Sequence, residues 1–212
     1  MLLKIPFQGL GFAVVFPIIF WFSIGLTSAQ EADPTMAINQ ERNEKDQAFR
    51  KGKASPIPKK ERRQFNGLRY FPVDSAYRVT ATLKRDTSQP AFQMKTSTSR
   101  LPLYRAYGTL YFTLKGQSCT LTVYQSLDLM RNPMYKNYLF LPFTDATTDE
   151  STYGAGRYLD LRIPNGETIV LDFNRAYNPY CAYSDEYSCP ITPAENRLPV
   201  AVEAGEKIYN NH

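Results

Sequence analysis

A chain of 212 residues, 43% hydrophobic and 21% charged, is long enough for one domain with its own core and too apolar to remain disordered. Its one histidine is the terminal His212, which argues against a histidine-based triad or a histidine-rich metal site, and the lack of a GxSxG elbow argues against serine hydrolase chemistry. The net charge is +5, but nine lysines and arginines crowd Arg42–Arg63 and the rest is close to neutral, so the basicity marks a solvated helix and linker rather than a nucleic-acid surface.

The chain opens with Lys4 and an uncharged stretch whose apolar heart is Leu10–Leu26, followed by Thr27-Ser28-Ala29. That layout predicts a secretory signal peptide over 1–29, cleaved after Ala29, and hence a secreted or periplasmic protein. The apolar run is also long enough to cross a bilayer, so an uncleaved leader is the one expected route to a membrane. Residues 30–64 read as an N-terminal helix, over Ala37–Lys51, followed by the stiff Ser55-Pro56-Ile57-Pro58 and the basic KKERR run. Gly52 ends that helix, whose apolar face, Ile38 and Phe49, is thin.

From Phe65 the pattern changes to short strands. Leu68–Val73 reads as a strand entry, Tyr77–Leu83 alternates cleanly, and Phe92–Thr96 is weaker. Leu103–Lys115 and Ser118–Gln125 form a hairpin with its tip at Gly116-Gln117. Tyr138–Phe143 is apolar enough to be buried on both faces. Tyr158–Ile163 and Thr168–Phe173 are expected to pair with each other across the turn Pro164-Asn165-Gly166. Val200–Tyr209 reads as a last strand. Residues 65–212 are thus expected to form one mainly β domain, an antiparallel sandwich or a barrel, with the helix appended.

The densest polar and aromatic stretch is Tyr153–Asn196, and Asn174–Leu198 reads as one long ordered loop. Tyr153, Tyr177, Tyr180 and Tyr183, beside Arg157, Asp172, Asn174, Asn178 and Asn196, form a candidate binding surface for a small polar or carbohydrate-like ligand. The alternative is a tyrosine-stapled loop in which Asp and Asn cap backbone groups. Arg157 follows a glycine-punctuated turn and is expected at its rim, holding a carboxylate of a ligand, of Asp160 or of Asp172. Asp160, Asp172 and Glu195 are candidate acid and base residues for a hydrolase. Asp172, Asn174 and Asn178 could also present oxygens to calcium. Cys181 and Cys189 stand in a CxxxxxxxC pattern that predicts a disulfide in an oxidising compartment, the alternative being a reactive or metal-binding thiol pair. Cys119 reads as a small buried hydrophobe. The composition calls for no cofactor and no resident metal.

FNGLRYFPVD from Phe65, YGTLYFTLKG from Tyr107, LFLPFTDATTDESTYGAGRYLDL from Leu139, LDFNRAYNPYCAY from Leu171, CPITPAEN from Cys189 and AGEKIY from Ala204 together resemble the DUF1684 family. The resemblance extends to ERNEKDQAFR from Glu41 and SPIP from Ser55, and so covers nearly all of the chain beyond the leader. It implies a shared fold and little chemistry. The reading is therefore a β-rich binding module for a small polar ligand, with a carboxylate-dependent hydrolase and a structural envelope protein as alternatives.

Overall fold

The computed structural model describes residues 34–209; the leader expected over 1–29 and the terminal His212 lie outside the described residues. Among the described residues no helix is long and apolar enough to cross a membrane. Over the described residues the fold is mainly β, with one α-helix, α1 (Pro34–Lys51), and seven strands: β1 (Arg78–Arg85), β2 (Phe92–Gln93), β3 (Leu103–Leu114), β4 (Gln117–Ser126), β5 (Tyr138–Phe143), β6 (Arg157–Arg162) and β7 (Thr168–Asp172). They form one antiparallel sheet in the order β6-β5-β4-β3-β1-β7, with β2 pairing beside β3. The sheet curls into a half-barrel, so the barrel side of the expected architecture is the one realised.

The inner face follows the alternation of the sequence. Ala81 and Leu83 of β1, Leu110, Phe112 and Leu114 of β3, Cys119, Leu121 and Val123 of β4, and Leu139, Leu141 and Phe143 of β5 are buried in one core. A bulge between Ala106 and Gly108 shifts the register of β3 and reverses which face its side chains take. Before it, Tyr104 joins a second cluster with Met94, Tyr124, Phe140 and Tyr158 on the outer face. This explains why β5 is buried on both sides. The β3–β4 hairpin turns on Lys115-Gly116, one residue earlier than expected, with both residues at positive φ (49° and 78°). Two such residues make the turn that matches strand twist.

Three expectations for strands are not met. Leu68–Val73 makes only an isolated bridge, between Tyr70 and Glu206. The segment 198–206 is extended but unladdered: Leu198, Val200, Val202 and Ala204 are buried in the core, and the chain runs through the concave side of the half-barrel as a plug. β6 and β7 do not pair as a hairpin, because β7 takes β1 as its partner, with Arg78 opposite Asp172 and Thr82 opposite Thr168. β6 and β7 are thus the two edges of the sheet.

α1 compensates for its thin apolar face with polar anchors. Ile38 and Phe49 are buried; Arg42 donates to the carbonyls of Phe71 (3.0 Å) and Asn174 (3.2 Å), and Asp46 accepts from Leu68 N–H (3.0 Å). The basic stretch after it also folds back: Arg62 donates to the carbonyls of Gly52, Ser55 and Ile57, and Ile57 is fully buried beside Phe49, Phe65 and Tyr183.

β4 and β5 register at one residue pair only, Tyr124 with Phe140. Asn196 completes the join. Its amide nitrogen donates to the carbonyls of Thr122 (2.8 Å) and Pro142 (2.7 Å), and its oxygen accepts from Thr122 N–H (2.8 Å). One side chain thus supplies the bonds of a missing ladder rung. Asn196→Ala is expected to lower the unfolding free energy by about 2–4 kcal/mol, since three buried bonds are lost and their partners stay unpaired. Asn196→Asp should cost more, because a carboxylate would face two carbonyls with no proton to give. Urea denaturation of both variants checks this order.

Candidate functional site

β6 and β7 are joined by the short connection 163–167, and Tyr158 and Tyr177 exchange two backbone bonds (2.9 and 3.1 Å) further along. Between these ties the two edges stay apart. The gap holds a cleft of about 430 Å³, lined by Leu159, Asp160 and Leu161 from β6, Val170 and Asp172 from β7, and Pro34, Arg78, Arg175 and Tyr177. Its volume falls in the range usual for small-molecule sites, roughly 300–1,000 Å³.

Asp160 is exposed on β6, opposite Phe140, and its Oδ1 accepts from two phenols, Tyr138 (2.7 Å) and Tyr177 (2.7 Å). Burial, reinforced by the Asp160 carboxylate, drives both phenols well above their ordinary pKa, so they remain donors at any accessible pH. Asp172 ends β7 and caps the turn that follows: its Oδ1 accepts from the backbone N–H (3.1 Å) and the amide (3.0 Å) of Asn174. Its other oxygen lies loosely between Arg78 (3.7 Å) and Arg175 (3.9 Å). Both guanidinium groups are about half exposed, so these contacts are weak; Arg175 donates instead to Glu41 of α1 (2.8 Å), itself half exposed. The cleft therefore offers a carboxylate with oriented phenols on one side, two cations on the other, and an apolar strip of Leu159, Leu161 and Val170.

The other residues expected to bind ligand face elsewhere. Arg157 is not at a rim. It opens β6 with its side chain turned into the half-barrel, 1% exposed, paired with Asp145 (2.9 Å) rather than with Asp160 or Asp172. It also donates to the carbonyls of Val202 (2.8 Å), Ala204 and Glu206 (3.3 Å). The turn before it needs its glycine: Gly156 has φ +92°, and a Cβ there would meet Phe143 O at 2.6 Å. Asn174 is buried and clamps Asp74, accepting from its N–H (3.0 Å) and donating to its carbonyl (2.8 Å). Asn178 donates through its N–H to Glu206 (2.8 Å) and through its amide to Lys207 O (2.8 Å). Tyr183 donates to Glu206 (2.6 Å), and burial together with that carboxylate holds the phenol protonated. Asn196 is the β4–β5 tie. Tyr180 is exposed and stacks edge-on against Phe49 and Tyr187.

The candidate acids separate in the same way. Asp160 and Asp172 share the seam cleft, whereas Glu195 accepts from Tyr124 (2.8 Å) at the outer aromatic cluster. Asn174 Oδ1 is taken by the Asp74 N–H (3.0 Å), whereas Asn178 Oδ1 is buried and accepts no hydrogen bond. Among the described residues no three His, Cys, Asp or Glu converge as metal ligands.

The expected disulfide is not formed: Cys181 and Cys189 are both free thiols. They are nonetheless adjacent, held by a hydrogen bond from the Cys181 N–H to Cys189 Sγ (3.2 Å) instead of a covalent bridge. Cys119 is buried and free, as a small hydrophobe of β4. Reading of the sequence missed Arg78, Arg175 and Tyr138. Arg78 begins an alternating strand and Arg175 lies inside the DFNRAYN stretch, but only the curl of the sheet brings the three toward one seam.

Arg157→Met is expected to destabilise the protein by about 3–5 kcal/mol, because it strands the buried Asp145 carboxylate and three carbonyls. Urea unfolding monitored by tyrosine fluorescence measures the loss.

The comparisons agree with this geometry in fold. A family model, "Protein of unknown function (DUF1684)", matches residues 63–207. No curated protein matches the chain. Among solved structures, the solution NMR structure of the uncharacterized protein from gene locus rrnAC0354 of Haloarcula marismortui is 40% identical, over 84% of this chain and 95% of its own, with a TM-score of 0.63. The chain belongs to the DUF1684 family.

Proposed function

We propose that the protein is a non-enzymatic binding module that takes a small polar, carbohydrate-like ligand in the seam cleft. The observation that carries this reading is the convergence at one opening of Asp160 with two phenol donors, of Arg78 held only loosely by Asp172, of Arg175 in a half-exposed pair with Glu41, and of an apolar strip. A sugar needs all three. The carboxylate accepts from hydroxyls, the cations donate to ring or carboxyl oxygens, and the strip covers the C–H face. The leader over residues 1–29 supports delivery to the periplasm or the outside, where such ligands are met.

A second reading, a carboxylate-dependent hydrolase, is favoured by the presence of Asp160 and Asp172 in the same cleft. The third, a structural envelope protein, draws on the internal use of Arg157, Asn174, Asn178, Tyr183 and Asn196.

Amide-detected NMR titration with neutral hexoses and hexuronates is expected to move resonances at Asp160, Tyr177 and Arg78. Asp160→Asn should weaken binding by about tenfold or more, the value of a charge-assisted hydrogen bond, without lowering the melting temperature. Turnover of a glycoside or ester abolished by Asp160→Asn or Asp172→Asn would replace the binding reading with the hydrolase. No response at the seam to any member of the panel overturns it.

A further inference from the structure

We propose that Cys181 and Cys189 form a thiol–disulfide exchange site, with Cys181 as the attacking thiolate, Cys189 as the resolving thiol, and a low-molecular-weight disulfide as the co-reactant. The site is independent of the seam cleft and does not rest on the binding reading.

The two cysteines have unequal surroundings. Cys181 is partly exposed, whereas Cys189 is 8% exposed. The Tyr153 phenol donates to the Cys181 sulfur (3.6 Å), with the Cys189 thiol and the Ser97 hydroxyl close by. Led by the Cys189 thiol, and against the opposing effect of burial, they pull the Cys181 thiol down to about 6. Cys189 is pushed the other way, first by its bond to Cys181 and then by burial. Tyr153 is raised by its own burial and by Cys181, so it stays a donor. Tyr158 and Asp185 are the further ionisable groups near this cluster. The surroundings thus favour the thiolate on Cys181 and the thiol on Cys189. Cys119, buried and raised, has neither feature.

The sulfurs are also positioned in advance. The chain between them is fastened to residues 96–100 by the Ser97 N–H to Cys189 O (2.9 Å), the Cys189 N–H to Ser97 Oγ (3.1 Å) and Arg100 to Ser188 O (2.8 Å). The Cys181 thiolate attacks one sulfur of the disulfide RSSR; that S–S bond breaks, a Cys181–SR bond forms, and RS⁻ leaves. Cys189 then loses its proton to RS⁻ and attacks the Cys181 sulfur, forming the Cys181–Cys189 bond and expelling the second RS⁻. The pair is oxidised by two electrons, and RSSR is reduced to one thiol and one thiolate. The reverse reaction with excess small thiol restores the free pair.

The test uses the full chain, reduced, freed of reductant and exposed to glutathione disulfide, with intact and peptide mass read over time. Wild type is expected to form the Cys181–Cys189 bond without retaining an adduct. Cys189→Ser should trap one glutathione on Cys181, and Cys181→Ser should form neither product. Native alkylation of Cys181 should titrate with a midpoint near 6. The pH midpoint is the sharper readout: at pH 7 the thiolate fraction rises about thirtyfold over a free cysteine, while intrinsic nucleophilicity falls by roughly tenfold, so the net rate changes little. Tyr153→Phe should move the midpoint upward. If a cysteine variant loses its circular dichroism signature, the wild-type bond map and midpoint still decide. A midpoint at the free-cysteine value of about 8.5, or no Cys181–Cys189 bond in wild type under glutathione disulfide, overturns the proposal.

Discussion

A buried guanidinium fork holds the last part of the chain in place. Residues 198–206 run through the concave side of the half-barrel without a strand partner, so their carbonyls need donors from elsewhere. Arg157 supplies them, reaching Val202, Ala204 and Glu206 in succession while Asp145 neutralises its charge. Asp145 in turn accepts from the N–H groups of Thr147 and Val202, so the same ion pair closes the 145–152 turn onto the plug. Burial pulls the guanidinium below its usual pKa and the Asp145 carboxylate pushes back, the balance expected of a charge kept inside only because it is paired.

Glu206 carries the same logic to the outer layers. It is 2% exposed, and its carboxylate is met by Lys45 from α1 (2.5 Å), the Asn178 N–H and the Tyr183 hydroxyl. One anion therefore ties the helix, the long loop and the end of the plug together. Gly205 lets the chain make this turn: at φ +76°, with Ala176 O only 2.5 Å from where a Cβ would sit, no other residue fits without a shift. The aromatic cluster of Phe49, Phe65 and Tyr183 then covers the joint.

With the interior filled by a plug rather than by a closing strand pair, β6 and β7 have no need to ladder. The seam between them becomes the natural place for a solvent-facing cleft, where Asp160 and Val170 are exposed while Leu159 and Leu161 also serve the core. The loop 174–198 divides accordingly. Its asparagines and Tyr183 serve the interior, Tyr177 serves the seam, and the two cysteines sit apart on a segment fastened to residues 96–100.

Local periodicity in the sequence determined the elements. Alternation in Tyr77–Leu83 and Ser118–Gln125, the unbroken apolar run of β5 and the helix pattern over Ala37–Lys51 each reflect one-dimensional spacing, which a single element's geometry enforces. The mainly β class followed from the same local signals, and the family from the resemblance of its motifs. Partnership did not. That β7 would pair with β1, that Val200–Tyr209 would thread the barrel unladdered, and that Arg157 would point inward to Asp145 depend on which surfaces meet after the sheet curls. The same holds for the division of Tyr153–Asn196 between scaffold and cleft. A tyrosine or asparagine looks identical in sequence whether its polar atom meets a backbone carbonyl or solvent. Only burial and the direction of the side chain, both set by tertiary packing, separate the two.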